Sequence, residues 1–160
     1  PYNGVLSGAY HYNAETLGGE IFSTFAQFKI VNNKSEMRNG LVAYSQAFRE
    51  QGWLNGRPIV VDAEGADVFF RLALGDLNGD GFTDVVASRK TGGIEVYLQM
   101  PDGQFVKELA PKLKATGGAF DIQLHDLDGD GLDDIIAGMA PAGSNPGGVG
   151  VWLSRKVEGS

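Results

Sequence analysis

Cysteine is absent from the chain, which rules out a disulfide framework and thiol catalysis and leaves metal as the available covalent-like staple. Histidine is nearly absent: His11 and His125 stand far apart in sequence and give no sign of a zinc site. Eighteen uninterrupted apolar residues occur nowhere, nor does an amphipathic basic segment, so neither membrane insertion nor membrane-surface binding is expected. Positive charge is also short. Thirteen basic residues against twenty acidic ones leave a net charge of −7, which argues against nucleic acid as a partner, because phosphate needs a basic face. No Ser-His-Asp set and no glycine-rich phosphate loop ahead of a helix is present. Glycine, in contrast, is abundant at 24 residues in 160, and with 42% hydrophobic content it points to many turns and short strands around a real core, as one domain or a piece of a larger one. The sequence opens at Pro1 with no signal-peptide pattern, from which a processed protein or an excised fragment is expected.

Two stretches share one spelling. Asp76-Leu-Asn78-Gly-Asp80-Gly-Phe82-Thr-Asp84 and Asp126-Leu-Asp128-Gly-Asp130-Gly-Leu132-Asp-Asp134 both read D-x-[DN]-x-D-G-x-x-D. Side-chain oxygens at positions 1, 3, 5 and 9, with glycine at 6 for a sharp turn, form the oxygen-rich layout of a hard cation such as Ca2+. An EF-hand would need a bidentate Glu at position 12 and flanking helices. Position 12 is instead Ala87 or Ala137, and the runs Val85-Val86-Ala87 and Ile135-Ile136-Ala137 favour strands. The closing ligand is therefore expected to be Asp84 or Asp134, at the start of a strand. Position 7, Phe82 or Leu132, is expected to offer its backbone carbonyl while its side chain packs inward. Eight of the twenty acidic residues lie in these loops and would repel one another without a cation, so the acidity reads as two Ca2+ sites before it reads as a partner signature.

Around the loops the chain repeats. Gly40-Leu-Val-Ala-Tyr44, Gly93-Ile-Glu-Val-Tyr97 and Gly148-Val-Gly-Val-Trp152 share the order Gly, apolar, any, apolar, aromatic. Ahead of the loops, Phe70-x-Leu72-x-Leu74-x-Asp76 matches Phe120-x-Ile122-x-Leu124-x-Asp126, each a strand with one buried face. One unit then reads as strand 67–74, loop 76–84, strand 84–89, turn 91–93, strand 94–100, turn 101–103 and strand 104–109. Four antiparallel strands repeated at about fifty residues are the mark of a β-propeller blade. The expected division is an unassigned segment 1–19 with a candidate strand at 5–12, a degenerate blade 20–65 without an acidic loop, a calcium-loop blade 66–114, and a second, 115–160, short of its fourth strand. The fold class is all-β, with about three blades as a partial propeller or open array.

These features resemble the FG-GAP/VCBS repeat family, the calcium-loop blades also found in integrin alpha-subunit propellers. The resemblance covers roughly residues 66 to 155, and implies a loop between the first two strands of each blade, a mainly structural ion, and ligands at Asp76, Asn78, Asp80 and Asp84, then Asp126, Asp128, Asp130 and Asp134. Family propellers close with about seven blades, so either the chain belongs to a longer one, or copies assemble to complete the ring, or the sheets pack open.

The expected function is non-catalytic: an extracellular or secreted module whose scaffold, held by two Ca2+ ions, presents a surface to a protein or carbohydrate ligand. The alternative is part of a polysaccharide-active lyase or hydrolase on the same scaffold, for which the sequence offers only the cluster Asp62, Glu64 and Asp67. Trp53, Tyr97 and Trp152 are possible sugar platforms, but Tyr97 and Trp152 sit on the repeated strand pattern and read as core. Arg71 and Asp121, at matching places on the two first strands, read as solvated charges.

Overall fold

Among the described residues, β-branched runs bounded by glycine and Asx turns yield eleven strands and no helix. The computed structural model describes residues 2–13, 18–31, 34–45, 56–62, 68–90, 93–107, 118–144 and 146–156; within the first four strands it describes the side chains of residues 22–25, 39–43 and 59. The chain divides into two compact units, Pro1–Phe70 and Arg71–Ser160.

The first unit holds a four-stranded antiparallel sheet of β1 (Tyr2–Asn13), β2 (Gly18–Val31), β3 (Lys34–Ser45) and β4 (Gly56–Asp62), in the order β1-β2-β3-β4. The candidate strand at 5–12 is thus part of a longer β1, and the run from Glu20 to Val31 lies within the single strand β2. Phe22, Leu41, Val42 and Ala43 are buried. Pro58 lies on the edge strand β4, beside a register shift at Leu41/Val42, where a residue without an N–H costs no inner ladder bond.

The two loop-bearing repeats follow. β5 (Phe69–Gly75), β6 (Asp84–Arg89), β7 (Ile94–Gln99) and β8 (Phe105–Val106) form a sheet in that order. β9 (Ala119–His125), β10 (Asp134–Met139) and β11 (Gly148–Trp152) form a three-stranded antiparallel sheet with β10 in the middle. Registers agree between the copies. Val85↔Tyr97, Val86↔Val96 and Ala87↔Glu95 reappear as Ile135↔Trp152, Ile136↔Val151 and Ala137↔Gly150. All three copies of the Gly-apolar-x-apolar-aromatic pattern fall at the third strand of their sheets, β3, β7 and β11.

The core of the second unit lies between its sheets. Leu77, Val86, Ile94 and Val96 from the first repeat pack with Ala119, Ile122, Ile135 and Ala137 from the second. Opposite faces of alternating strands are used: Val86 and its neighbour Val85 point apart, so the first sheet meets the second with one face only. Ser88 adds a polar link, its buried hydroxyl donating to the Ala119 carbonyl at 3.1 Å and accepting from the Arg71 N–H at 3.2 Å. The described residues thus form an all-β architecture of unclosed antiparallel sheets.

Candidate metal centre

Each acidic loop connects the first two strands of its sheet, Asp76 to Asp84 between β5 and β6, Asp126 to Asp134 between β9 and β10. Glycines at loop positions 4 and 6 bend the chain through left-handed conformations: Gly79 and Gly81 have φ of 77° and 82°, Gly129 and Gly131 of 80° and 86°. The position-1 carboxylate organises the turn. Asp76 Oδ1 accepts from the Gly79 N–H at 2.7 Å and Oδ2 from Gly81 at 2.9 Å; Asp126 does the same with Gly129 at 2.7 Å and Gly131 at 3.0 Å. Positions 3 and 5 accept from the backbone two residues on, through Asn78 and Asp80 in the first loop, Asp128 and Asp130 in the second.

Carboxylate oxygens of Asp126, Asp128 and Asp130 converge to within 4.8 Å of one another, a cluster with the geometry to hold a metal ion. In the first loop Asn78 brings an amide to the same place, and its Nδ2 donates to Asp80 Oδ2 at 2.9 Å. Every donor is oxygen and no sulfur or imidazole takes part, a chemistry that fits Ca2+ or Mg2+ rather than zinc. The lone pairs left over on these carboxylates are the ones an ion would take.

Asp84 and Asp134 occupy a different environment from the other carboxylates. Both are fully buried, at 0% exposure. Asp84 accepts from the Leu77 N–H at 2.9 Å on Oδ2 and from the Gln99 N–H at 2.9 Å on Oδ1, so it ties the loop entrance to the end of β7. Asp134 repeats this with Leu127 at 2.9 Å and Ser154 at 2.8 Å. Burial pushes the Asp84 carboxyl up to about 6; the N–H groups of Gln99 and Leu77 pull against that, and the charges of Asp80 and Asp76 add to it. Position 9 is therefore a structural staple before any ion is considered.

Position 7 differs between the copies. Leu132 is buried at 0%, whereas Phe82 is 37% exposed, so inward packing holds for the second loop and not for the first. The cause lies in what each residue meets. Leu132 reaches the first loop, where its Cδ2 would stand 2.8 Å from a Cβ added at Gly79. A further bond pair joins the loops beside it: the Asp133 N–H donates to the Asp76 carbonyl at 2.9 Å, and the Asp76 N–H donates to Asp133 Oδ2 at 3.0 Å. A Cβ at Gly75 would collide with that Asp133 carboxylate, which makes glycine the residue that permits the approach.

Sequence reasoning assigned no role to Asp133, and none to Arg155, whose guanidinium lies 2.6 Å from Asp128 and 3.8 Å from Asp130. Arg155 holds the Asp128 carboxyl below the usual carboxylate range. Neither residue carries a spacing signal, because each acts on a loop or strand distant in sequence. Tyr97 is core, as its strand position implied, and its hydroxyl donates to Glu95 at 2.6 Å. Trp152 packs at the edge of the inter-sheet cluster. Asp121 is exposed and bonds only its own neighbourhood, accepting from the Ile122 N–H at 3.1 Å. Trp53, Glu64, Asp67 and the side chains of His11 and Asp62 lie outside the described residues, as do Thr91 and Gly92 of the expected turn.

Residues 76–137 match the family model of the FG-GAP-like repeat. The matched span opens on the first carboxylate of one loop and closes on Ala137, three residues beyond the last carboxylate of the other. No curated protein matches the chain.

Proposed function

We propose that this FG-GAP-like repeat segment is a calcium-stabilised, propeller-type module of an extracellular protein, and that its scaffold presents a surface for a protein or carbohydrate ligand. The observation that carries the calcium reading is the convergence of Asp126, Asp128 and Asp130 within 4.8 Å, on a loop whose backbone bonding is repeated by the loop at Asp76–Asp84. One ion per loop is expected, held by Asp76, Asn78, Asp80, the Phe82 carbonyl and Asp84, and by Asp126, Asp128, Asp130, the Leu132 carbonyl and Asp134. In each set the buried position-9 carboxylate contributes the lone pairs its two N–H bonds leave over.

Calcium's role in this reading is thermodynamic. An ion that binds the folded loops and not the unfolded chain stabilises the fold by about 2.7 kcal/mol per site at a hundred-fold excess over its dissociation constant. That is a large share of the roughly 5–15 kcal/mol that separates a folded domain from its unfolded chain. Loops of modest affinity fill where calcium is millimolar, which is the support for an extracellular setting. The experiment is a thermal melt in excess chelator and in millimolar calcium, with magnesium as control. A calcium-specific rise in Tm supports the reading; equal Tm in all three conditions refutes it.

A further inference from the structure

The two loops settle their spare carboxylate oxygens in different ways. Positions 3 and 5 commit Oδ1 to a backbone N–H, which leaves Oδ2 of Asp80 in the first loop, and of Asp128 and Asp130 in the second, for another partner. In the first loop that partner is internal and neutral: Asn78 Nδ2 donates to Asp80 Oδ2 at 2.9 Å. In the second it is a cation from 27 residues along the chain, Arg155, whose Nη1 donates to Asp128 Oδ2 at 2.6 Å and lies 3.8 Å from Asp130 Oδ2. The charge count accounts for the difference. Positions 1, 3, 5 and 9 hold three carboxylates in the first loop and four in the second, because Asn78 stands where the second loop has Asp128. A guanidinium on that fourth carboxylate returns the second loop to the charge balance of the first, and relieves the repulsion of carboxylates within 4.8 Å of one another.

The fold builds this placement. Asp84 accepts from the Gln99 N–H and Asp134 from the Ser154 N–H, so the residues that follow, Met100 and Arg155, hold the same place in the two repeats. Ser154 is fixed a second time by its hydroxyl, which donates to the Asp133 carbonyl at 2.6 Å. The chain is therefore pinned at the base of Arg155, while the Arg155 side chain is 64% exposed and can swing into water. We propose that Arg155 is a tethered counter-cation of the second loop, displaced by an arriving Ca2+ ion, so that this loop is an ion-exchange site and the first loop is not. The exchange rests on the calcium reading above. A side chain pinned at its base stays at high effective concentration over the carboxylates, yet an exposed ion pair is weak, so a divalent ion displaces it. The competition leaves the second loop binding the ion about two- to fivefold more weakly than the same loop without the arginine. Filling the loop also frees a positive charge on the segment just after β11.

The test uses the full chain, with Asp80→Ala removing the first loop's site so that the second alone is read. Arg155→Met, which installs the first repeat's residue, is expected to tighten calcium binding about two- to fivefold in titration calorimetry. The same substitution beside Asp130→Ala, which leaves only the first loop, is expected to change nothing. The guanidinium itself is followed by its Nε–H resonance in NMR, assigned by its loss in Arg155→Met. In chelator that resonance should differ from its position in Asp128→Ala, and saturating calcium should move it towards the Asp128→Ala position. The proposal is overturned by a resonance that Asp128→Ala leaves in place in chelator, by one that stays in place while calcium binds, or by binding that Arg155→Met fails to tighten. Calcium uptake by none of the variants refutes the calcium reading and the exchange with it, whereas uptake that is indifferent to Arg155 refutes the exchange alone.

Discussion

Asp80 and Asp84 are two carboxylates of one loop, and removing them should have different consequences. Asp80 is exposed and accepts only from the Phe82 N–H and the Asn78 amide, both able to turn to water. Asp80→Ala in chelator should therefore change stability by no more than the roughly 0.5 kcal/mol typical of a surface substitution. Asp84→Ala strands two N–H groups, those of Leu77 and Gln99, around a buried position. Each buried donor left without an acceptor costs about 1–3 kcal/mol. Removing a carboxylate that burial has pushed up to about 6 returns part of that, because the ionised form is the one disfavoured there at neutral pH. A net loss of about 2–4 kcal/mol is expected, or about 4–16 °C in Tm for a chain of this size. In calcium both variants should lose the ion's contribution, about 2.7 kcal/mol at a hundred-fold excess. The assay is calorimetric melting of parent and both variants at pH 7 in chelator and in millimolar calcium. Asp84→Ala melting with the parent in chelator would refute the staple, and Asp80→Ala melting with the parent in calcium would refute the ligand assignment.

Arg155→Ala should tighten calcium binding severalfold, because the guanidinium on Asp128 and Asp130 competes for the oxygens an ion needs; titration calorimetry showing equal or weaker binding contradicts this. Asp133→Ala removes the acceptor of the Asp76 N–H and should weaken calcium binding at the first loop in titration calorimetry, whereas Asp133→Asn, which keeps an acceptor there, should bind as the parent; equal binding by all three contradicts this. Glu95 supplies the acid limb of stability: burial opposes its ionisation, but Lys107 at 2.7 Å, the Tyr97 hydroxyl at 2.6 Å and Arg89 at 3.3 Å outweigh it and hold its carboxyl below the ordinary range. A depressed folded pKa stabilises fully above the unfolded value of about 4.3 and loses that contribution as pH falls from there through the lower folded value, so Glu95→Gln should lower stability at pH 7 and flatten its decline below about pH 4 in a series of denaturant melts.

Local pattern carried much of this fold into the sequence. Period-two alternation at Phe70-x-Leu72-x-Leu74 and the β-branched runs after Asp84 and Asp134 are short-range signals, and they mark strands that the structure places at Phe69–Gly75, Asp84–Arg89 and Asp134–Met139. The acidic loops were legible for the same reason, since positions 1, 3 and 5 and the two glycines act within six residues of chain. What the spelling hides is anything decided by a neighbour. Leu132 and Phe82 hold the same loop position and the same backbone bond, from the N–H to the position-5 carboxylate, yet one is buried and the other exposed.

The position-9 aspartates show how much of a residue's role a motif leaves unsaid. From spacing alone Asp84 is expected to be a ligand, because its place in the pattern is the only information available. The structure adds that both its oxygens accept N–H groups, one from the loop and one from the end of β7, and that Asp134 does the same with Leu127 and Ser154. A carboxylate fixed in this way holds the loop's two ends to the sheet with or without an ion, so the site is pre-shaped and an ion would need to order only the exposed positions 3 and 5. Pre-ordering lowers the entropy lost on binding. It follows that the structural role of position 9 and the ligand role proposed for it cannot be separated by Asp84→Ala, which would remove both, but can be by comparison with Asp80→Ala, which would remove only a proposed ligand.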